Sequence, residues 1–412
     1  MSGSTAPTAP NSPINWFPLV FISSFHIAFL YGAIYYPVNR TGVISCLVMY
    51  LLTGLAVTVG YHRLWSHRSY SAIAPWRLWW AFWGAGSLQG SVLWWSKLHR
   101  LHHSFPDTPA DPYGPMYGFW YSHCGWLLRS PNRKQYLDKI NVNDLKADWV
   151  VALQHKFYIP LNFSVAFFVP LLVWRNDPVQ AFVYGGLFAR ILTWHSTWFV
   201  NSLAHWLGSD EYSNETSAKD HFLTALLTFG EGNHGFHHAF SFSYQNGLKW
   251  FHYDPTKSII LIASYFGITY NLKHPTDNEI QKARYQVKER KIIGMKQSIV
   301  WPDPASFKNI IALKDYEKAK EAGNIWVTMN GLVYDISSFV SQHPGGEKIL
   351  AAMGSKKPEY IEHQFSFKHT HSKAARNMLD MMIIGRLEGE DSDKPLVTDA
   401  ERSLGGPTVT AA

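Results

Sequence analysis

His99-Arg-Leu-His102-His103 and His234-Gly-Phe-His237-His238 are two copies of one pattern, His-x-x-His-His, set far apart in the chain. On a helix the first ring of each copy lies on the side that carries the last two, so each copy writes a face of imidazoles. Working outward, His62-Arg-Leu-Trp-Ser-His67 precedes the first copy and His205 precedes the second. Burying three imidazoles on one face requires a partner for every ring nitrogen, and Leu98, Arg100 and Leu101 supply too few acceptors. Imidazole is the commonest protein ligand of borderline metals, and nine convergent rings exceed what one ion of usual coordination number uses. The nine therefore predict a two-metal centre. Isolated histidines such as His26 and His155 are expected to be ordinary hydrogen-bonded core residues.

The surroundings of these clusters are apolar. Of 412 residues, 47% are hydrophobic and only 16% charged, a balance that suits neither a typical soluble domain nor a disordered chain. The apolar residues gather in four runs, 16–36, 42–60, 159–174 and 179–200, each near the ~20 residues that cross hydrocarbon as a helix. Eleven Lys plus Arg lie between residues 61 and 156, against one each in the connectors near Arg40 and Arg175. The positive-inside rule then places that long loop and both termini in the cytosol, with every histidine cluster at the cytosolic membrane face. No cleavable signal peptide is expected, and Cys46 and Cys124 form no disulfide framework. A net charge of +7 without a dense basic patch fits anionic lipid or a phosphate-bearing substrate and excludes a nucleic-acid footprint.

A second unit follows. Residues 273–304 turn charged and helix-forming, which reads as a solvated connector. Beyond them, Ile325-Trp-Val-Thr alternates as a strand, Met329-Asn-Gly-Leu makes a turn, and Val333-Tyr-Asp-Ile leads to His343-Pro-Gly-Gly. There the glycines let backbone approach a flat ligand closely. With His371 downstream, two opposed imidazoles around a haem would give a six-coordinate iron suited to electron transfer. Trp326, Val333-Tyr334-Asp335, Phe339 and His343-Pro-Gly-Gly resemble the cytochrome b5 family over roughly residues 305 to 390. His371 is the choice for the second axial ligand to haem b, with His369 and His363 as alternatives.

With those pieces in place, His62–His67, His99–His103, Asn201-Ser-Leu-Ala-His205 and Gly230-Glu-Gly-Asn-His234-Gly-Phe-His237-His238 resemble the histidine boxes of membrane acyl-CoA desaturases. The likeness is to the stearoyl-CoA Δ9 type with a fused C-terminal cytochrome b5. It implies an all-α integral membrane fold of four transmembrane helices with a cytosolic helical cap, plus a small α+β haem domain. The expected organisation is a disordered N-terminus 1–15, a desaturase domain 16–272, a connector 273–304, a haem domain 305–390 and a disordered tail 391–412. In the family these nine histidines are catalytic and hold two non-haem iron ions, and the residue matching Asn201 reaches one iron through water. Asn201 and His205 stand at i, i+4, so both can face one site. The implied reaction takes a long-chain saturated acyl-CoA and O₂, with electrons from NADH-cytochrome b5 reductase, at the endoplasmic reticulum membrane.

The chemistry is consistent with the parts. Taking two hydrogens from an unactivated methylene pair needs an oxidant made from O₂ with two electrons delivered singly, for which a haem relay beside an iron pair is suited. A hydrolytic zinc site would want an open position beside a general-base carboxylate and no haem partner. Glu231, the one carboxylate next to a box, reads as orienting a ligand histidine. Gln89, Trp95, Trp126, Thr197 and Trp198 match positions that line the family's bent acyl tunnel, and Tyr50 and Gly54 match its end. Gly54 is expected to leave space that Tyr50 partly blocks. The family usually carries an Arg pair for CoA phosphates where this chain has Met116-Tyr117, and Lys97, Arg129, Arg133 and Lys134 are the expected substitutes. Two other readings compete: a related di-iron lipid desaturase or hydroxylase acting at another position or carrier, and a membrane haem protein of electron transfer only.

Overall fold

A computed structural model describes residues 11–129, 131, 133–303, 305–306, 308–348, 350, 365 and 371–389. The expected tail 391–412 lies outside these residues. So do positions 1–10, whereas 11–15, expected to be disordered, are irregular chain tied down by Asn15 N–H donating to Leu128 O and by Arg129 donating to Ser12 O. The chain divides into two compact units, Met1–Lys291 and Ile292–Ala412.

The first unit is helical. Trp16–Tyr35 buries only Phe25 and Gly32, and apolar side chains such as Phe17, Ile27 and Ile34 point outward all around it. A helix apolar on every face belongs in hydrocarbon rather than in water. Arg40–Ser66 begins where the Asn39 side chain accepts from Gly42 N–H. It turns Val43, Ile44, Leu47 and Leu51 outward and keeps the smaller Gly42, Ser45, Thr53 and Gly54 inward. Small residues permit the close helix approach that packing in lipid relies on. Its last eleven residues, Ala56–Ser66, widen into π-type turns, and all eleven are buried. Such a widening rotates the following side chains relative to an α-helix, and it is here that His62 is carried.

Trp16–Tyr35 and Arg40–Ser66 are each long and apolar enough to cross a membrane, and Trp149–Lys156 with Tyr158–Val173, bent by 79°, makes a third if the pair is one span. The last expected run is helical through Pro178–Gln180, Ala181–Phe188 and Ala189–Asn201, but it holds Gln180, Arg190 and His195 and is not among them. Arg190 is fully buried and donates to Gly86 O (2.8 Å) and Gly185 O (3.3 Å), so backbone carbonyls satisfy part of its charge. His26 bonds Ile22 O and His195, as a satisfied histidine should. His155 bonds Ser91 but stands at the surface, not in the core.

Residues 273–304 are charged, helical and exposed over most of their length, and two buried residues, Ile280 and Val287, anchor the helix. Asp277–Ser298 is one helix whose Ile280 packs in a cluster with Tyr212, Phe236 and Phe240, and Arg284 pairs with Glu211 at 2.7 Å. Its charged residues hid a sparse apolar stripe, and that stripe braces the fourth histidine box through Phe236.

The second unit is α+β. A four-stranded sheet runs in the order Ile310–Ile311, Ile383–Leu387, Leu332–Asp335, Trp326–Met329, with only the first pairing parallel. Asn330 and Gly331, with φ of 50° and 75°, join the last two strands by a turn whose two positive φ angles match the strand twist. Val327, Leu332, Tyr334, Ile336 and Ile383 form the core, against which Phe365 and Leu379 pack.

Candidate metal centre

Four segments bring the nine histidines together. Ser91 caps the Val92–Ser104 helix by accepting from Trp94 N–H, and that helix presents His99, His102 and His103. His62 comes from the widened end of Arg40–Ser66 and His67 from the residue after it. His205 lies in the short Leu203–Trp206 helix, and His234, His237 and His238 in His234–Ala239. The rings fall into two groups, His62, His67, His99, His103, His237 and His102, His205, His234, His238, each with ligand atoms within 4.8 Å of one another. The expectation of one ligand face per motif is corrected by this division. Residues i and i+4 stay together in both motifs, as His99 with His103 and His234 with His238, while the middle ring of each faces the other group. A step of three residues turns a helix to one side and a step of four to the other, so His102 and His103 straddle His99.

The Nε2 atoms converge. In the first group they lie 2.8 Å apart for His67 and His99, 3.1 Å for His62 and His237, and 3.0 Å for His237 and His103. In the second the separations are 3.2 Å for His102 and His238 and 3.1 Å for His238–His234 and His234–His205. Two ligands on one ion with metal–nitrogen bonds of about 2.1 Å and an angle near 90° stand about 3.0 Å apart. A neutral imidazole carries one N–H, so His237 Nε2, facing both His62 and His103, cannot satisfy the cluster by hydrogen bonding alone. Burial holds His99, His103, His234, His237 and His238 well below the usual imidazole range, which is the neutral form that binds metal. The donor set therefore fits two metal ions, with no carboxylate in either group.

A second layer orients these rings. His62 Nδ1 lies 3.0 Å from Glu231 Oε2, the contact anticipated from sequence. Glu231 also accepts from Arg63 (2.9 Å) and Asn246 (2.6 Å), and Arg63 reaches Asp254 at 2.9 Å. Burial opposes ionisation of Glu231, but the Arg63 guanidinium and His62 outweigh it and hold the carboxyl at about 2. Gly230, at φ 96°, makes the turn that aims Glu231, and a Cβ there would stand 2.7 Å from Asp254 Cα. Sequence reading missed two further supports. Asp111 holds His102 Nδ1 at 2.9 Å, and His205 Nδ1 bonds Ser217 Oγ at 2.8 Å, whose hydroxyl donates to Asp107. Both aspartates fall within ten residues of His102, the one local signal available.

Beside the histidines is a cavity of about 740 Å³ lined by Gln89, Trp95, Trp126, Thr197, Trp198 and Asn201, all six singled out from sequence. Arg133 lines it too, while Arg129 is engaged with Ser12 O. Gln89 donates to Thr197 Oγ1 at 3.0 Å across it. A smaller cavity of about 40 Å³ shares Trp95, Thr197 and Asn201 with it and continues past His62 and His99 to Gly54 and Phe229. The space expected at Gly54 is filled: a Cβ there would overlap the Phe229 ring. Tyr50 stands behind, with its ring 5.0 Å from that of Phe229 and its hydroxyl 2.7 Å from Ser196 Oγ.

In the second unit, the His343 and His371 ring centroids are 6.4 Å apart. Two imidazoles on opposite sides of one iron, with bonds of about 2 Å each, put their centroids about 6.3 Å apart. His371 Nδ1 donates to Phe365 O at 3.0 Å, leaving Nε2 as the free lone pair, and Phe365 stacks on its ring. The pair fits a haem. His363 and His369 lie outside the described residues.

Comparison with known proteins gives the same division. Residues 41–271 match the fatty acid desaturase family and residues 312–388 the cytochrome b5-like heme/steroid binding domain. The chain is 36% identical over 380 residues to a probable acyl-CoA desaturase of Schizosaccharomyces pombe, covering 91% of this chain and 78% of that protein. It is 36% identical over 387 residues to acyl-CoA desaturase 1 of Saccharomyces cerevisiae, covering 92% and 75%. A Δ9 fatty-acid desaturase of Caenorhabditis elegans is 34% identical over 278 residues, covering 65% of this chain and 82% of that one.

Proposed function

Because the chain belongs to the acyl-CoA desaturases of the fatty acid desaturase family, with a cytochrome b5-like domain behind the desaturase region, we propose that it inserts a cis Δ9 double bond into a long-chain saturated acyl-CoA, stearoyl-CoA being the reference substrate. The observation that carries the reading is the pair of all-histidine groups, with ring nitrogens 2.8 to 3.2 Å apart, beside a cavity that continues past them. His62, His67, His99, His103 and His237 would hold one iron, and His102, His205, His234 and His238 the other, with Asn201 reaching it through water. When bound, the irons supply the O₂ chemistry by which one chain loses two hydrogens, and two electrons and two protons complete the reduction of O₂ to two waters.

The protein's own groups position and exclude. Glu231, Asp111 and Ser217 hold the rings of His62, His102 and His205, so the nitrogens are presented without rearrangement. Gln89, Trp95, Trp126, Thr197 and Trp198 give the acyl chain an apolar, water-excluding path bent at the Gln89–Thr197 bond, which sets the methylene pair against the histidines. His343 and His371 would clamp haem b, whose closed coordination suits single-electron relay from NADH-cytochrome b5 reductase. The proposed arrangement has desaturase domain 16–272, connector 273–304 and haem domain 305–390, four spans, both termini cytosolic, and residence in the endoplasmic reticulum membrane.

Expression in cells lacking their own desaturase tests the reading. Purified protein should contain two non-haem irons per haem, and cell lipid should gain Δ9 cis products. A hydroxylated or shifted product would move it to a related di-iron enzyme, and haem without further iron would leave electron transfer only.

A further inference from the structure

Phe229 is an unusual residue in its setting. It is a bulky aromatic held at φ 55°, a left-handed backbone region that favours glycine, and its side chain is 6% exposed. Its carbonyl accepts from Thr256, whose hydroxyl lies 2.7 Å from that of Thr58, so the opposing helix holds the turn in place. The ring enters the gap that Gly54 leaves in the Arg40–Leu55 helix, so closely that any Cβ there would overlap it. Backbone strain kept at such a place points to a use for the side chain it aims.

That side chain closes the inner cavity. The whole inner cavity, from Trp95 past His62 and His99 to Phe229, holds about 40 Å³, a narrow path whose far wall sets how far a chain can extend. The lining at the far end is Gly54, Ser196 and Phe229, and Tyr50 lies behind them, bonded to Ser196. Resting on the acyl-desaturase reading, we propose that the Phe229 ring, seated against Gly54, is the end stop of the acyl path and a specificity-determining residue for chain length. Tyr50 acts only once that ring has been removed or swung aside.

The test uses the full-length protein with iron and haem, given saturated acyl-CoAs of fourteen to twenty carbons, with products analysed for length and double-bond position. Phe229→Leu and Phe229→Ala should shift preference to longer chains, roughly fourfold for each added methylene, with the double-bond position unchanged. Gly54→Ala should shift it to shorter chains, and Gly54→Ala with Phe229→Ala should restore at least the original length, because the clash partner is gone. Thermal stabilisation of the same variants by each acyl-CoA reads the preference without turnover. An unchanged length profile in both Phe229 variants, or a double variant no longer-reaching than Gly54→Ala, overturns the end stop and leaves the desaturase reading intact. Wild-type protein that is neither stabilised by nor active on any chain overturns the desaturase reading itself.

Discussion

His99 and His102 sit three residues apart on one helix, yet their rings serve different clusters: His99 Nε2 lies 2.8 Å from His67 Nε2, and His102 Nε2 lies 3.2 Å from His238 Nε2. The helix lies between the two groups and contributes to both.

His99→Ala and His102→Ala should therefore each lower bound non-haem iron from two to about one per chain, losing different ions, and abolish desaturation in both cases. Iron analysis with the double variant checks this. Retention of two irons and near-normal turnover in both single variants would falsify the two-group assignment.

Glu231→Ala should destabilise the protein by about 3 kcal/mol or more, since it leaves the Arg63 guanidinium, 1% exposed, with Asp254 as its remaining carboxylate. It should also weaken iron binding by about 10- to 100-fold by freeing His62. Thermal unfolding of the metal-free protein separates the first effect from iron titration of the second.

His343→Ala and His371→Ala should each remove the low-spin bis-imidazole haem spectrum and stop electron delivery, while the non-haem iron content stays at that of wild type. If His371→Ala keeps the spectrum, another histidine completes the axial pair.

Asp220 accepts from Phe236 N–H at 3.0 Å, at the start of the helix that carries the fourth box, and burial raises its carboxyl from 3.8 to about 7. A carboxyl raised on folding favours the native state while protonated, so its contribution is present below pH ~4 and lost as pH rises to about 7. Asp220→Asn should remove this dependence. The difference in unfolding temperature between wild type and variant should change between about pH 4 and pH 7, with wild type falling behind as pH rises, and a constant difference would rule the effect out.

Much of this protein is written locally. The spacing of His99, His102 and His103 makes a helix with imidazoles on it, Asn330-Gly331 makes a tight turn between alternating strands, and the long apolar runs before and after Arg40 make helices too greasy for water. These depend on the period of adjacent residues, so the sequence by itself determined them, along with the Glu231 contact hinted at by its place beside a box. Tertiary structure alone decided the rest. Which group each ring joins depends on how the Val92–Ser104 helix is rotated against His62 and His237, a relation between distant segments that no local period encodes. Likewise the glycine at 54 reads as empty space until Phe229, far along the chain, is packed into it. The charged stretch 277–298 is solvated as its composition says, but its anchor appears only when Ile280 meets Phe236. A side chain's neighbours across the fold follow from close packing of the whole interior, where a vacancy is filled by whichever residue the backbone brings there.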